Sequence, residues 1–381
     1  MDEAVPRWDP GSAAVRDDQL GAYDRMRSTC PIAASNRGVT FFRHADVVAA
    51  ANDPERFSSA VSERRSVPNS IDPPEHARWR ALVDRFFDAE RMAALEPRVQ
   101  RIAEAVVESV PRGSAVDAVT EIGRPLAVTA QTDWLGWHGA ERRLLDWMDA
   151  NHAATRSGDR QRMAAVAAAF DEIVAEQVDR RRSLGDKAPD DPTTELVRSS
   201  FDGRPLTDQE VVSILRNWTA GDLGSVAAAI GVVCHFVATN PDVQADLRAG
   251  IGDEAAAVDE MLRLDDPFLT NRRVTTEAVD VGGYRLPAGT HVVVNWASAN
   301  RDEEVFGDPD GYRPIDHASS NVVYGTGIHV CPGRPLATLE LVSTLRALLD
   351  ATTSLDLASG ADAVRETDPV GGWRHLPIVV H

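Results

Sequence analysis

The chain has 381 residues, 43% of them hydrophobic and 26% charged, with a formal net charge of −19. That length buries a large core, and the mixed composition excludes a disordered or low-complexity chain. The acidic balance argues against a general nucleic-acid binder and against adhesion to anionic membranes, and the three cysteines, Cys30, Cys234 and Cys331, exclude a disulfide scaffold.

Residues 1–10 lack a basic region followed by an apolar stretch, so no signal peptide is expected. A short strand is expected at Val39–Phe42, and alanine-rich helical periodicity runs through Arg91–Val110 and Gln161–Arg182. The polar, proline-containing stretch Leu184–Thr193 reads as a loop rather than a domain linker, because strong patterns flank it closely. A long helix is expected over Asp208–Thr239; its most apolar part, Val226–Ala238, contains His235 and is too short to span a bilayer. Pro241-Asp242 stops that helix and starts another over Asp242–Ala249, followed by a helix over Asp253–Leu264. Strands are expected at Thr275–Tyr284, His291–Asn295 and Pro377–Val380, with a helix at Pro335–Leu349 between the last two. There is no internal repeat, and an acidic cytoplasmic enzyme is the simplest reading.

The most informative run is Tyr324-Gly325-Thr326-Gly327-Ile328-His329-Val330-Cys331-Pro332-Gly333. It delivers one cysteine from a glycine-rich loop to the start of a helix, where backbone N–H groups and the helix dipole favour a thiolate. Glycines such as Gly325 and Gly333 let the backbone pass close to a flat partner. One thiolate with no second cysteine or histidine at zinc-site spacing fits the axial position of a haem better than tetrahedral zinc.

This run resembles the haem-binding signature of the cytochrome P450 family, Phe-Gly-x-Gly-x-His-x-Cys-x-Gly, with Tyr324 in place of the phenylalanine. The resemblance extends from about Asp17 to Pro377. It implies a mainly α fold with small β-sheets, one domain over residues 1–381, and haem b held between a distal helix and the cysteine loop with Cys331 on the iron. It also implies partners for the two haem propionates. His76 and Arg80, four apart in Asp-Pro-Pro-Glu-His-Ala-Arg-Trp-Arg, share a helix face. Arg273, with neighbouring Arg272 the weaker candidate, stands where relatives carry a propionate-binding arginine, and His329 completes the set. Glu260 and Arg263, in Glu-Met-Leu-Arg, match the family's structural Glu–Arg pair.

The segment Asn217-Trp218-Thr219-Ala220-Gly221-Asp222-Leu223-Gly224-Ser225 aligns with the family's oxygen-binding helix. Relatives place an acid and a threonine where this chain has Leu223 and Gly224. That pair organises proton delivery through water. Its absence leaves four routes open: solvent entering at Gly224, a substrate hydroxyl, a displaced relay of Asp222 and Ser225, or peroxide as oxidant. Candidate pocket walls are residues 61–71, Trp218, Ala220, Gly221 and Gly224, Pro267–Thr270 with Phe268 and Leu269, and Val370–Trp373.

The expected activity is haem-thiolate monooxygenation of a small apolar substrate, aromatic or terpenoid by weak preference. The chain has no flavin or iron–sulfur motif, so electrons are expected from a separate acidic ferredoxin or flavodoxin-like donor docking on Arg78, Arg85 and Arg334. A peroxide-driven or non-oxygenating haem-thiolate enzyme is the alternative, and a non-catalytic haem sensor the remote one.

Overall fold

The computed structural model describes residues 5–63, 65–366 and 370–381. Eleven helices of eight residues or more carry the architecture among these residues: α1 (Gln19–Thr29), α2 (His44–Ala51), α3 (Glu75–Asp84), α4 (Ala89–Ser109), α5 (Arg124–Leu135), α6 (Glu141–Ser157), α7 (Arg160–Leu184), α8 (Asp208–Thr239), α9 (Pro241–Arg248), α10 (Glu254–Leu264) and α11 (Arg334–Ala351). The fold is mainly α.

The 32-residue α8 organises the rest. Its start is set by a capping box in which the Thr207 hydroxyl accepts from the Glu210 amide and the Glu210 carboxylate accepts from the Thr207 amide. It packs against α5, α7, α10 and α11, and α11 lies along α4. Among the described residues α8 is the one helix long and apolar enough to cross a membrane, yet most of its apolar stretch is buried inside the protein. Residues 226–234 are buried on every side, which is the pattern of a core helix.

The largest sheet has five strands, β1 (Ile32–Ser35), β2 (Gly38–Phe41), β3 (Phe57–Ser58), β4 (Thr270–Thr275) and β5 (His291–Asn295), in the order β1-β2-β5-β4-β3. β5 runs parallel to β2 and antiparallel to β4, with Val292 opposite Arg273. A smaller sheet joins Leu355–Leu357, Pro377–Val380 and Ala115–Asp117.

The long helices fall within a few residues of the expected bounds, and α8 coincides with them. The expected strand Thr275–Tyr284 is not one strand. β4 ends at Thr275, and a separate hairpin pairs Val279–Val281 with Tyr284–Leu286. Gly282 and Gly283 make its turn with φ of 56° and 84°, the geometry of a two-residue hairpin loop. Helices α1, α2, α5 and α6 lie outside the expected elements. In α5 the buried side chains include Gln131 and Thr132, which blur the apolar period.

One buried ion pair fastens the helical and sheet parts together. Arg263 is 0% exposed and Glu260 1% exposed. Two parallel hydrogen bonds join them, from Nε to Oε2 at 2.8 Å and from Nη2 to Oε1 at 2.9 Å. The remaining guanidinium protons reach the carbonyls of Asn300, Pro309 and Gly311. Glu260 Oε1 also accepts from the Arg313 amide at 2.9 Å and lies 2.7 Å from His317 Nδ1. Burial alone would raise the Glu260 pKa, but these hydrogen bonds outweigh it and hold the carboxyl below its usual range. Glu260→Ala leaves Arg263 charged, buried and unpaired, so it should cost about 3–5 kcal/mol. Chemical denaturation of the variant tests this; a loss below about 1 kcal/mol would mean that the network is not holding the segment.

Candidate active site

The loop from Val322 to Gly333 is braced from three sides. Gly325 and Gly327 take φ of 72° and 73°, where a side chain is strained. A Cβ on Gly327 would stand 2.5 Å from the Ala51 carbonyl oxygen, so only glycine lets the loop press on the end of α2. Arg80, from α3, donates through Nη1 to the carbonyls of Ile328 at 3.1 Å and Val330 at 2.6 Å. The Cys331 amide closes the loop on the Tyr324 carbonyl at 2.9 Å. Cys331 then points its thiol into space. The residue has accessible surface, yet burial is the main cause of its raised pKa. Those two facts agree if the thiol lines an internal cavity. Amides of Gly333 and Arg334 and the Arg80 charge act in the opposite direction and favour the thiolate.

Tyr324 turns its hydroxyl away from the sulfur, towards Asp259 and Thr338, and burial raises its pKa. The Arg334 guanidinium lies 5.1 Å from the ring centroid and pairs with Asp259 at 2.6 Å. The departure from phenylalanine is thus absorbed by a local cluster beside the loop.

Four donors converge near the cysteine. The rings of His76 and His329 lie 4.3 Å apart, and both Nε2 atoms are buried without a hydrogen-bond partner. Arg273, on β4, is 6% exposed, and its Nη1 donates to the neighbouring Arg272 carbonyl at 2.8 Å. Burial, then His76, Arg273 and Arg80, push the His329 pKa down to about 3. Asp72 is the one acid felt by both His76 and Arg273, and its carboxylate is already engaged with Ser58 and the Ser59 amide. The cluster therefore has donors in excess and suits an anionic group.

The α8 wall is divided by helical phase. Ala220, Gly221, Gly224 and Ser225 are partly accessible in the middle of a core helix, so they face the cavity. A Cβ on Gly221 would meet nothing within 4 Å. Trp218 lies beside this strip rather than on it: it is 6% exposed and packs on Phe86, Phe87 and Trp134. Asp222, one turn on, shares that side and is felt by Glu340 of α11. Burial raises the pKa of both acids, and neither Asp222 Oδ2 nor either Glu340 oxygen has a hydrogen-bond partner. The Ser225 hydroxyl donates to the Gly221 carbonyl at 2.8 Å, so it does not meet the Asp222 carboxylate. Leu269 is 1% exposed and packs with Tyr23, Phe42 and Ala297, away from the cavity, whereas Phe268 is 45% exposed. Trp373 stacks on His235 at 4.4 Å. Arg64, within the expected pocket loop, lies outside the described residues.

Sequence reading passed over two residues of this region. Glu340 stands among Leu336, Leu341, Val342 and Leu345 on a buried helix, and an acid in such a run was the available signal. His152 of α6 approaches Gly224, and nothing in its local sequence marks it.

A thiol facing a cavity, paired histidines and an arginine without anions, and a small-residue helix wall suit a flat, dianionic, thiolate-ligated group: the residues present fit haem. They define a haem-thiolate class of protein. A cytochrome P450 family model matches residues 255–353. The chain is 31% identical to cyclomarin C epoxidase of Salinispora arenicola, over 89% of each chain. It is 30% identical to 6-deoxyerythronolide B hydroxylase of Saccharopolyspora erythraea, over 81% of this chain and 76% of the other. Cytochrome P450 EryK of S. erythraea superposes with a TM-score of 0.87 at 27% identity, covering 99% of this chain and 98% of that one. The chain belongs to the cytochrome P450 family, and is a haem b-dependent monooxygenase of the oxidoreductase class.

The expected basic docking patch is not a set of free charges. Arg78 pairs with Asp202, Arg85 bonds Ser199 and lies 3.8 Å from Glu195, and Arg334 pairs with Asp259. The compensating acids come from distant segments, so the patch is close to neutral.

Removing a cation from the donor cluster should loosen an anionic cofactor. Arg273→Gln deletes a charge-assisted hydrogen bond of about 1.5–3 kcal/mol and should speed haem loss about 10- to 100-fold. Haem transfer to an acceptor protein measures this, and an unchanged rate would remove Arg273 from the cofactor site.

Proposed function

We propose that this chain is a haem-thiolate monooxygenase of small, largely apolar molecules, with Cys331 as the iron ligand. The observation that carries this reading is the accessible Cys331 thiol at the head of α11, where the amides of Gly333 and Arg334 and the Arg80 charge partly offset the burial that raises its pKa. Bound haem supplies the activation of O2 that puts one oxygen atom into the substrate and releases the other as water. His76, Arg80, Arg273 and His329 hold its propionates by donating hydrogen bonds, and Gly325 and Gly333 let the loop lie close to its face. Ala220, Gly221 and Gly224, with Phe268, leave room on the distal side for a broad substrate. The relatives' names, an epoxidase of cyclomarin C and a hydroxylase of 6-deoxyerythronolide B, support a secondary-metabolite substrate over a simple aromatic one. Glu260 and Arg263 serve the fold rather than the chemistry. Electrons come from a separate ferredoxin or flavodoxin-like protein in the cytoplasm. Its docking relies on shape and a few local charges, given the paired state of Arg78, Arg85 and Arg334.

A second reading is favoured by α8 itself. Leu223 is buried, Gly224 has no side chain, and the Ser225 hydroxyl is bound to its own helix. No acid–hydroxyl pair faces the cavity from this helix, and a peroxide-driven enzyme needs none. Turnover of one substrate with a reduced ferredoxin and with hydrogen peroxide separates the two. Activity with ferredoxin supports monooxygenation, and activity with peroxide alone supports the second reading. Cys331→Ser should abolish turnover by either route together with the thiolate-type ferrous-carbonyl absorption band. Retention of that band would show that another residue ligates the iron.

A further inference from the structure

Gly224 removes a side chain from the middle of the cavity wall, and what borders the gap is specific. A Cβ built on Gly224 would have one heavy-atom neighbour within 4 Å, His152 Nε2 at 3.8 Å. The imidazole comes from α6. Its other nitrogen, Nδ1, lies 3.4 Å from Nη2 of Arg124 at the start of α5. A guanidinium only donates, so Nδ1 accepts and the ring proton is placed on Nε2. Arg124 is itself held by Asp149, one turn before His152. Among the described residues Nε2 has no hydrogen-bond partner. The arrangement is an oriented N–H donor facing the space left by Gly224.

We infer that His152 is the distal hydrogen-bond donor of this pocket, presenting Nε2–H to an oxygen acceptor bound in the gap left by Gly224. Arg124 is the positioning residue that sets its tautomer. The inference deepens the reading of the cavity as the haem site and rests on it. The charged groups facing His152 are Arg124 from α5, Asp149 and Arg156 from α6, and Glu366 from the segment after α11. Arg156 and Glu366 pair with each other at 3.0 Å, so the surroundings are close to neutral. Burial first, then the Arg124 charge, lowers the His152 pKa, which keeps the ring neutral and donating at neutral pH. Protonation below its usual range would take Nδ1 away from Arg124 and disturb the geometry.

The test uses carbon monoxide on the ferrous holoprotein and reads the C–O stretch in the infrared, without turnover. A donor near the bound molecule lowers that frequency. His152→Phe fills the volume without the donor and should move the band to higher frequency. Gly224→Val, whose Cβ fits the measured space, puts methyl groups into the gap and should move it the same way with His152 in place. Arg124→Met removes a like charge and should move the acid-induced band shift to higher pH than in the parent protein. A normal carbonyl band unmoved by both His152→Phe and Gly224→Val would overturn the inference and leave the haem site intact. Failure of the parent protein to hold haem would overturn both.

Discussion

The guanidinium of Arg263 is wholly buried, and it is tolerable there only because every direction it faces offers an acceptor. Glu260 neutralises it from the same helix turn, and three backbone carbonyls between Asn300 and Gly311 take the remaining protons. A buried pair of this kind adds little net stability compared with apolar packing, but it is strongly directional. Those carbonyls belong to the irregular chain that leads from β5 into the cysteine loop. A segment with little regular structure is thereby given one path. Asn300, in the same segment, accepts the Val322 amide at 2.8 Å at the loop's entrance. The position of the proposed ligand thus depends on α10 before it depends on anything near the thiol.

From that anchor the cavity follows by division of labour. The loop presents its thiol because Gly327 lets it touch α2 and Arg80 grips its carbonyls. The opposite wall needs a helix that is rigid and yet bare, and α8 supplies both. Its Trp218 face is locked into an aromatic cluster, while the face one-third of a turn away carries alanine and glycine. Glycine inside a helix costs roughly 0.5–1 kcal/mol relative to alanine. Thirty-two residues and packing against α5, α7, α10 and α11 offset that cost.

The cysteine loop was legible in the sequence because its constraints are local: glycines at left-handed backbone positions, a histidine and a thiol at set spacing. The mainly α fold and most long helices were legible through their periodicity. The phase of α8 was not. Buried residues surround it, so the apolar pattern does not say which side meets the cavity, and the packing of Trp218 on Phe86, Phe87 and Trp134 emerges only in the fold. Leu269 is ambiguous in sequence for a similar reason, since an apolar residue next to a pocket is as readily core as wall. The charges of Arg78, Arg85 and Arg334 were visible, but Asp202, Glu195 and Asp259 reach them only after folding.

Two sets of polar groups buried without partners flank this region: His76 and His329 beside the cysteine loop, and Asp222 with Glu340 and Ser343 where α8 and α11 meet. Such groups cost about 1–3 kcal/mol each when unsatisfied. The two sets differ in chemistry. The histidines with Arg273 are donors in search of an anion, which a dianionic cofactor supplies. The carboxyls of Asp222 and Glu340 repel each other when ionised, and burial favours their neutral forms. A protonated carboxyl can donate as well as accept, so the second set can satisfy itself or hold water without any ligand. The asymmetry explains why one side of the cavity reads as a binding site and the other as structural support. On α8 the support behind the helix is polar and elaborate, while Gly221 and Gly224 present no side chains that could act in the cavity.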